Sequence, residues 1–391
     1  MRVDPQTLRG NWHYPTEVRF GPGRIAELAD ACIELGMTRP LLVTDPGLRN
    51  LAMVGDAVAA NERAGLPTAL FTRVRPNPVG ENVDDGVVAY RENGCDGVIA
   101  LGGGSALDAG KAIALMVGQS RPIWDFEDRE DWYTRVNVDG MAPVVAVPTT
   151  AGTGSEVGRA SVITDVDTHT KKIIFHADML PGCVISDPEL TVSLPQHLTA
   201  ATGMDALAHN LEALCAPGYH PMADGLAVEG LRLIHSWLPT AVEDGSNLTA
   251  RAHMLVASSM GAAAFQKGLG AIHALSHPIG AVLDTHHGLT NGVVMPYVLA
   301  FNRPAIEDRL FRLARYLDLP DPSFQSVQKW VLELRERIGI PHTLAEIGVE
   351  EHHVADLSPM AAMDPSVGGN PLPIGEPELR ELFLSAIAGA L

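Results

Sequence analysis

The chain has 391 residues, 46% of them hydrophobic and 19% charged, enough for two domains, because a single core rarely grows past roughly 250–300 residues. A formal net charge of -19 repels phosphate backbones and anionic membranes, and no apolar run approaches the roughly 20 residues needed to cross a bilayer, so neither nucleic acid nor membrane is an expected partner. The opening Met1-Arg2-Val3-Asp4-Pro5 lacks the basic start and apolar segment of an export signal, and Cys32, Cys95, Cys183 and Cys215 stand singly with no CxxC pair, which together point to a cytoplasmic protein with free, buried thiols.

Up to about residue 188, short apolar runs alternate with amphipathic stretches, the pattern of a layered α/β domain. The first predicted strand, residues 41–44, ends at Asp45, a carboxylate placed to accept hydrogen bonds from ribose hydroxyls or to cap its own turn before Pro46-Gly47. A second strand is predicted over 68–71 and a third over 97–101. The third runs straight into Gly102, Gly103, Gly104 and Ser105 and then a helix over 106–114. A strand, a glycine turn and a helix N-terminus bring unpaired N–H groups close to a phosphate, although the run is neither GxGxxG nor a Walker loop and leaves the nucleotide open. The fourth strand, 143–147, ends in a second loop of small polar residues over 148–156, in which Thr149, Thr150 and Thr153 offer hydroxyls to a ribose, a phosphate or an amide. Residues 160–164 and 172–175 flank Asp165-Val166-Asp167-Thr168 as a hairpin expected to decorate the sheet edge.

From about Pro188 onward helical periodicity takes over, over 199–215, 222–242, 248–265, 306–317 and 325–338. Within the first of these, Asp205 and His209 lie four apart and therefore share a helix face. His273 and His277 repeat that spacing, and His286-His287-Gly288 follows. One DxxxH pair is weak evidence, but two such pairs and a downstream histidine describe a site for one divalent ion, with Fe(II) and Zn(II) both suited to a carboxylate with imidazoles. HExxH is absent, which argues against a zinc protease.

The glycine turn at 102–105, the loop 148–156, the Asp205/His209 pair and the Gly268-Leu269-Gly270-Ala271-Ile272-His273 run through His287 together resemble the iron-containing (group III) alcohol dehydrogenases. The likeness extends from Phe20-Gly21-Pro22-Gly23, through Pro76-Asn77-Pro78, to Gly368-Gly369-Asn370-Pro371, covering nearly the whole chain in order. It implies an α/β N-terminal dinucleotide-binding domain (1–188) and an all-α C-terminal metal-binding domain (189–391), with NAD, less so NADP, and a small alcohol or aldehyde as ligands, in a homo-oligomer of two or more chains. It also implies Asp205, His209, His273 and His287 as ligands of Fe2+, with Zn2+ the alternative. His277 falls at a histidine near the nicotinamide that relays a proton, while Gly102, Gly103, Gly104, Ser105, Thr149, Thr150, Thr153, Asp45 and Lys172 fall at cofactor-side positions. The reaction implied is hydride transfer between an alcohol and NAD(P), against two alternatives: a dehydroquinate-synthase-like lyase on the same fold and a non-catalytic nucleotide-binding protein. Lys267 and Arg159 are the expected cations if the substrate is anionic, with a neutral short-chain alcohol as the default.

Overall fold

A computed structural model describes the backbone of residues 10–12 and all of residues 16–391, so the opening residues 1–5 lie outside the described part. Contacts divide the chain into two units: one comprises the chain up to Thr150 together with Gly154–Ser193, and the other comprises Leu194–Leu391 with the short segment Ala151–Thr153.

The first unit is built on a seven-stranded sheet. Its strands are β1 (Gly10–Trp12), β2 (Glu17–Phe20), β3 (Pro40–Val43), β4 (Ala69–Phe71), β5 (Gly97–Gly102), β6 (Val144–Pro148) and, after a hairpin, β9 (Cys183–Ser186). Their order is β1-β2-β9-β6-β5-β3-β4, parallel throughout except for β1. Helices α1 (Leu28–Glu34), α2 (Ala52–Arg63), α3 (Gly80–Glu92) and α4 (Gly104–Met116) complete the layers. Every residue of β3, β5 and β6 is buried, as a strand covered on both faces requires. Leu42, Ile99, Leu101, Val145 and Val147 join Leu28 and Cys32 of α1 in one apolar core. From β3 the chain passes outward to β4, and from β5 it passes the other way to β6, so the direction of winding reverses between β3 and β5. In an open parallel sheet that reversal opens a crevice at the strands' carboxyl ends, where ligands bind. Asp45 and Gly102 flank it.

The expected hairpin is present as β7 (Ala160–Asp165) and β8 (Thr170–Phe175), and it does not join the seven-stranded sheet. They pair only with each other as a strand ladder, and isolated bridges from Val79 and Glu127 attach them elsewhere in the unit.

The second unit is helical: α5 (Gln196–Cys215), α6 (Pro221–Glu243), α7 (Leu248–Ala264), α8 (Ala271–Leu283), α9 (His287–Tyr316), α10 (Phe324–Arg337), α11 (Val354–Ala362) and α12 (Glu376–Ala388). From Thr199 to Cys215 only Thr202 of α5 reaches the surface appreciably, which marks a helix covered on all sides. It packs against α6, α7 and α9. Glycines permit this approach: a Cβ on Gly230 of α6 would fall 2.1 Å from Asn210 Oδ1, and one on Gly261 of α7 would fall 2.6 Å from Asn210 Nδ2. The α/β-plus-helical class is the one expected.

Candidate metal centre and glycine turn

Helical spacing brings the predicted donors together. Asp205 and His209 share a face of α5, His273 and His277 share a face of α8, and His287 is the first residue of α9. His286 caps that last helix, its Nδ1 accepting the Leu289 N–H at 3.4 Å. Asp205 Oδ1 lies 3.7 Å from His209 Nε2, 3.8 Å from His273 Nε2 and 3.5 Å from His287 Nε2. Donors held at about 2.1 Å from one ion in a tetrahedral array stand roughly 3.4 Å apart, so each imidazole lies close to ligand spacing from the Asp205 carboxylate. Asp205, His273 and His287 offer atoms all within 4.8 Å of one another, and the His209 ring stacks on that of His273 with centroids 4.8 Å apart. Phe265 closes the other side of His209 at 5.1 Å.

Asn291 had no part in the sequence-based expectation. Its Nδ2 lies 2.8 Å from Asp205 Oδ1, 3.1 Å from His287 Nε2 and 3.3 Å from His273 Nε2, while its Oδ1 is buried with no hydrogen-bond partner among the described residues. The positive end of an amide thus stands where three donor atoms converge. Such a set fits a divalent cation, and an oxygen with three imidazoles suits Fe(II) or Zn(II). The only signal for Asn291 in the sequence is its place one helical turn beyond His287.

Burial pushes the His209 imidazole down to about 4, outweighing the Asp205 carboxylate beside it, so the ring is held neutral, the form that binds a metal. Burial acts the same way on His273, but Glu212, in charge contact and 2.5 Å from its Nδ1, reverses the balance and raises its pKa. His277 Nδ1 meets Asp364 Oδ2 at 2.7 Å, and its ring stacks on His287 at 5.2 Å. Burial opposes the charged form of Asp364, yet the His277 imidazole and the Ser366 hydroxyl and amide overcome it and hold the carboxyl down to about 2.

That depressed value has a definite sign. A carboxyl at about 2 in the fold and roughly 3.9 in the unfolded chain contributes about 3 kcal/mol, present in full above the unfolded value and lost as the pH falls through the folded one. Urea unfolding of the metal-free protein is expected to show Asp364→Asn less stable than wild type at pH 6, with the gap closing between pH 4 and pH 2. A gap that is unchanged across that range would show that the carboxylate charge plays no part.

In the first unit, Gly102 adopts φ 151°, and a Cβ there would meet the Ala106 Cβ at 2.7 Å, so only glycine makes this turn. Gly103 precedes α4 without a capping side chain, leaving the amides of Gly104, Ser105 and Ala106 as a helix N-terminus, and Thr150 stands against Gly103. The Thr149 N–H donates to the Gly102 carbonyl at 2.9 Å, which joins the two loops. Asp45 caps its own turn, Oδ1 accepting from the Gly47 and Leu48 N–H groups at 2.8 and 3.1 Å, while Oδ2 faces Gly102. Thr153 belongs to the helical unit, in the segment where Gly152 abuts Thr202 of α5.

Lys172 Nζ lies 2.6 Å from Asp165 Oδ2 and over the Trp124 ring, within the hairpin region. Lys267 does not fulfil the expectation of a cation for substrate. Its side chain is only 2% exposed, paired with Asp224 and donating to the Leu214 carbonyl at 3.3 Å, because a buried ammonium must be neutralised where it sits. Arg159 is exposed and rests on the Phe175 ring.

Residues 15–188 match the family model described as iron-containing alcohol dehydrogenase, and residues 199–387 match the one described as Fe-containing alcohol dehydrogenase family, C-terminal. The chain is 41% identical over 349 residues to the 4-hydroxybutyrate dehydrogenase of Cupriavidus necator, covering 87% of this chain and 90% of that one. It is 35% identical over 385 residues to the NAD-dependent methanol dehydrogenase of Bacillus methanolicus, covering 96% and 100%. Among solved structures, a 1,3-propanediol oxidoreductase superposes with a TM-score of 0.90 at 35% identity, covering 95% of this chain and 97% of that one.

Proposed function

Because the chain belongs to the iron-containing alcohol dehydrogenases, we propose that Asp205, His209, His273 and His287 hold its Fe2+ and that the Asp45 and Gly102 crevice holds NAD. The enzyme is an oxidoreductase that moves a hydride between the carbon of a small alcohol and nicotinamide C4, or back to the aldehyde. The observation that carries the assignment of Asp205, His273 and His287 is the convergence of their donor atoms on Asn291 Nδ2, and His209 joins them on the family resemblance and its 3.7 Å approach to Asp205 Oδ1.

When bound, the ion supplies Lewis acidity for the alcohol or carbonyl oxygen. The remaining steps are work for the chain's own groups. The amides of Gly104 and Ser105 and the dipole of α4 bind the pyrophosphate, with Ser105, Thr149 and Thr150 as hydroxyl donors around it, while Thr153 and Lys172 are cofactor-side positions on the family resemblance alone. Asp364 keeps the His277 ring oriented with Nδ1 toward its carboxylate, so Nε2 takes up and releases the substrate proton. His273 serves catalysis as a ligand.

The test is anaerobic reconstitution of metal-free protein with Fe(II) or Zn(II), followed by NADH formation at 340 nm over a panel of primary alcohols. The relative that acts on 4-hydroxybutyrate makes that compound and its aldehyde, 4-oxobutanoate, the first pair to compare with butanol and butanal. With Lys267 committed to Asp224, exposed Arg159 is the cation that supports a carboxylate-bearing substrate. Metal-dependent binding of NAD without net NADH from any alcohol would favour a lyase instead.

Asp45→Gly is expected to narrow the preference for NAD over NADP by about five-fold in kcat/KM, or roughly 1 kcal/mol, since a carboxylate beside a 2′-phosphate costs that much after screening. A wild type that uses both cofactors equally would remove Asp45 from the ribose. The buried free thiols support a cytoplasmic setting. Exposed Tyr219, Met222, Phe311 and Tyr316 support assembly into a homo-oligomer of two or more chains, which light scattering checks. No helix among the described residues is long and apolar enough to cross a membrane.

A further inference from the structure

Glu212 lies three residues beyond His209 and seven beyond Asp205 on α5, so helical spacing brings it to the same face as the donors. It is 7% exposed, and both of its oxygens are used on a different helix. Oε1 accepts the Ile272 N–H at 2.7 Å, and Oε2 lies 2.5 Å from His273 Nδ1. The first bond satisfies one of the four amides that the start of α8 leaves unpaired, a place where negative charge also meets the positive end of the helix dipole. The second bond requires the proton of a neutral His273 ring to sit on Nδ1, because a carboxylate can only accept. Nε2 is then left with its lone pair, and Nε2 is the atom 3.8 Å from Asp205 Oδ1.

We infer that Glu212 is a positioning residue that sets the tautomer of the neutral His273 ring and locks α8 to α5 through one carboxylate. Two bonds from one rigid group fix both the height of α8 along α5 and the rotation of the His273 ring. A neutral side chain of the same shape cannot do both. Glutamine offers one oxygen and one NH2. If its oxygen stays on the Ile272 N–H, its NH2 faces His273 Nδ1 and demands a lone pair there, which moves the ring proton to Nε2 and removes the donor. If the amide is reversed, its NH2 opposes the Ile272 N–H and leaves a buried amide unpaired.

This inference rests on the ligand assignment above, and the experiment separates the two. Fe(II) affinity is measured anaerobically by chelator competition on full-length wild type, Glu212→Gln, Glu212→Ala and His273→Ala, with thermal unfolding of each metal-free protein. The His273 tautomer is read from the 15N shifts of metal-free wild type and Glu212→Gln. The expected result is an affinity roughly 10- to 100-fold lower in Glu212→Gln, the size typical of losing a ligand's outer partner, together with a proton moved to Nε2. Thermal stability of Glu212→Gln is expected to fall less than that of Glu212→Ala, which removes both bonds. Wild-type affinity in Glu212→Gln overturns the inference while leaving the ligand set intact. Lower affinity with an unchanged His273 tautomer also overturns it, since Glu212 would then act only through packing or charge. Undiminished affinity in His273→Ala overturns the ligand assignment itself.

Discussion

His273→Ala is expected to lose the bound ion and at least about 10^3-fold in turnover, the scale of roughly 4 kcal/mol of transition-state stabilisation that a Lewis-acid metal supplies. The ring is 1% exposed and stacks on His209, so its loss also removes support from a second donor. NAD binding, followed by quenching of protein fluorescence, is expected to survive, because the glycine turn and Asp45 belong to the α/β unit and His273 to the helical one. Loss of NAD binding along with the metal would contradict the separate placement of the two sites.

Gly288→Ala carries the largest expected structural effect. The added Cβ would fall 2.2 Å from the Ala201 carbonyl oxygen and 2.9 Å from the Asp205 Cβ, so the first turn of α9 would have to move away from α5 at the very residues that present His287 and Asp205. Backbone on one side of the clash leaves no rotamer to yield, and a cost of about 3 kcal/mol follows, at the upper end for overpacking. For the helical unit, of about 200 residues, that corresponds to a fall in melting temperature on the order of 6–12 °C, and metal affinity should fall with it. Gly225→Ala is the control. It lies within α6 with nothing within 4 Å of an added Cβ, and it should stabilise by roughly 0.5–1 kcal/mol by restricting the unfolded chain. Equal effects from the two substitutions would show that space at Gly288 is not limiting.

The contrast between these glycines shows what the sequence could disclose. His287-Gly288 stands out in the sequence as a turn following a histidine, but the glycine is there to let two helices touch, a fact that depends on a segment more than eighty residues earlier. Strands β3, β5 and β6 were legible to within a residue, because complete burial writes an unbroken apolar run. Strand β2 was not, since Glu17 and Arg19 interrupt its apolar character. The start of α9 was also hidden. Pro296 and Pro304 normally end a helix at a cost of about 3 kcal/mol, yet this one runs through both, with Val293 to Leu299 buried in the core on either side of the first. Two pairs at a helical spacing of four, Asp205/His209 and His273/His277, with His287 downstream, marked the region in the sequence, and the family resemblance selected the four candidate donors from it. Glu212, Asn291 and Asp364 are ordinary polar residues until their partners are known, and those partners lie 61, 86 and 87 positions away in sequence. Lys267 illustrates the reverse error: a cation beside a ligand-bearing turn looked available, and only the fold supplies Asp224.

The far end of the chain completes α8. Asn370 Oδ1 accepts the Ala271 N–H across 99 positions of sequence, and Asn370 and Asn302 exchange amide hydrogen bonds at 2.8 and 2.9 Å. Asp364, from the same C-terminal stretch, holds His277. During synthesis, therefore, His273 and His277 emerge from the ribosome before the groups that fix their helix. A nascent chain halted near residue 340 carries every candidate donor from Asp205 to His287 and still lacks the cap on Ala271 and the carboxylate on His277.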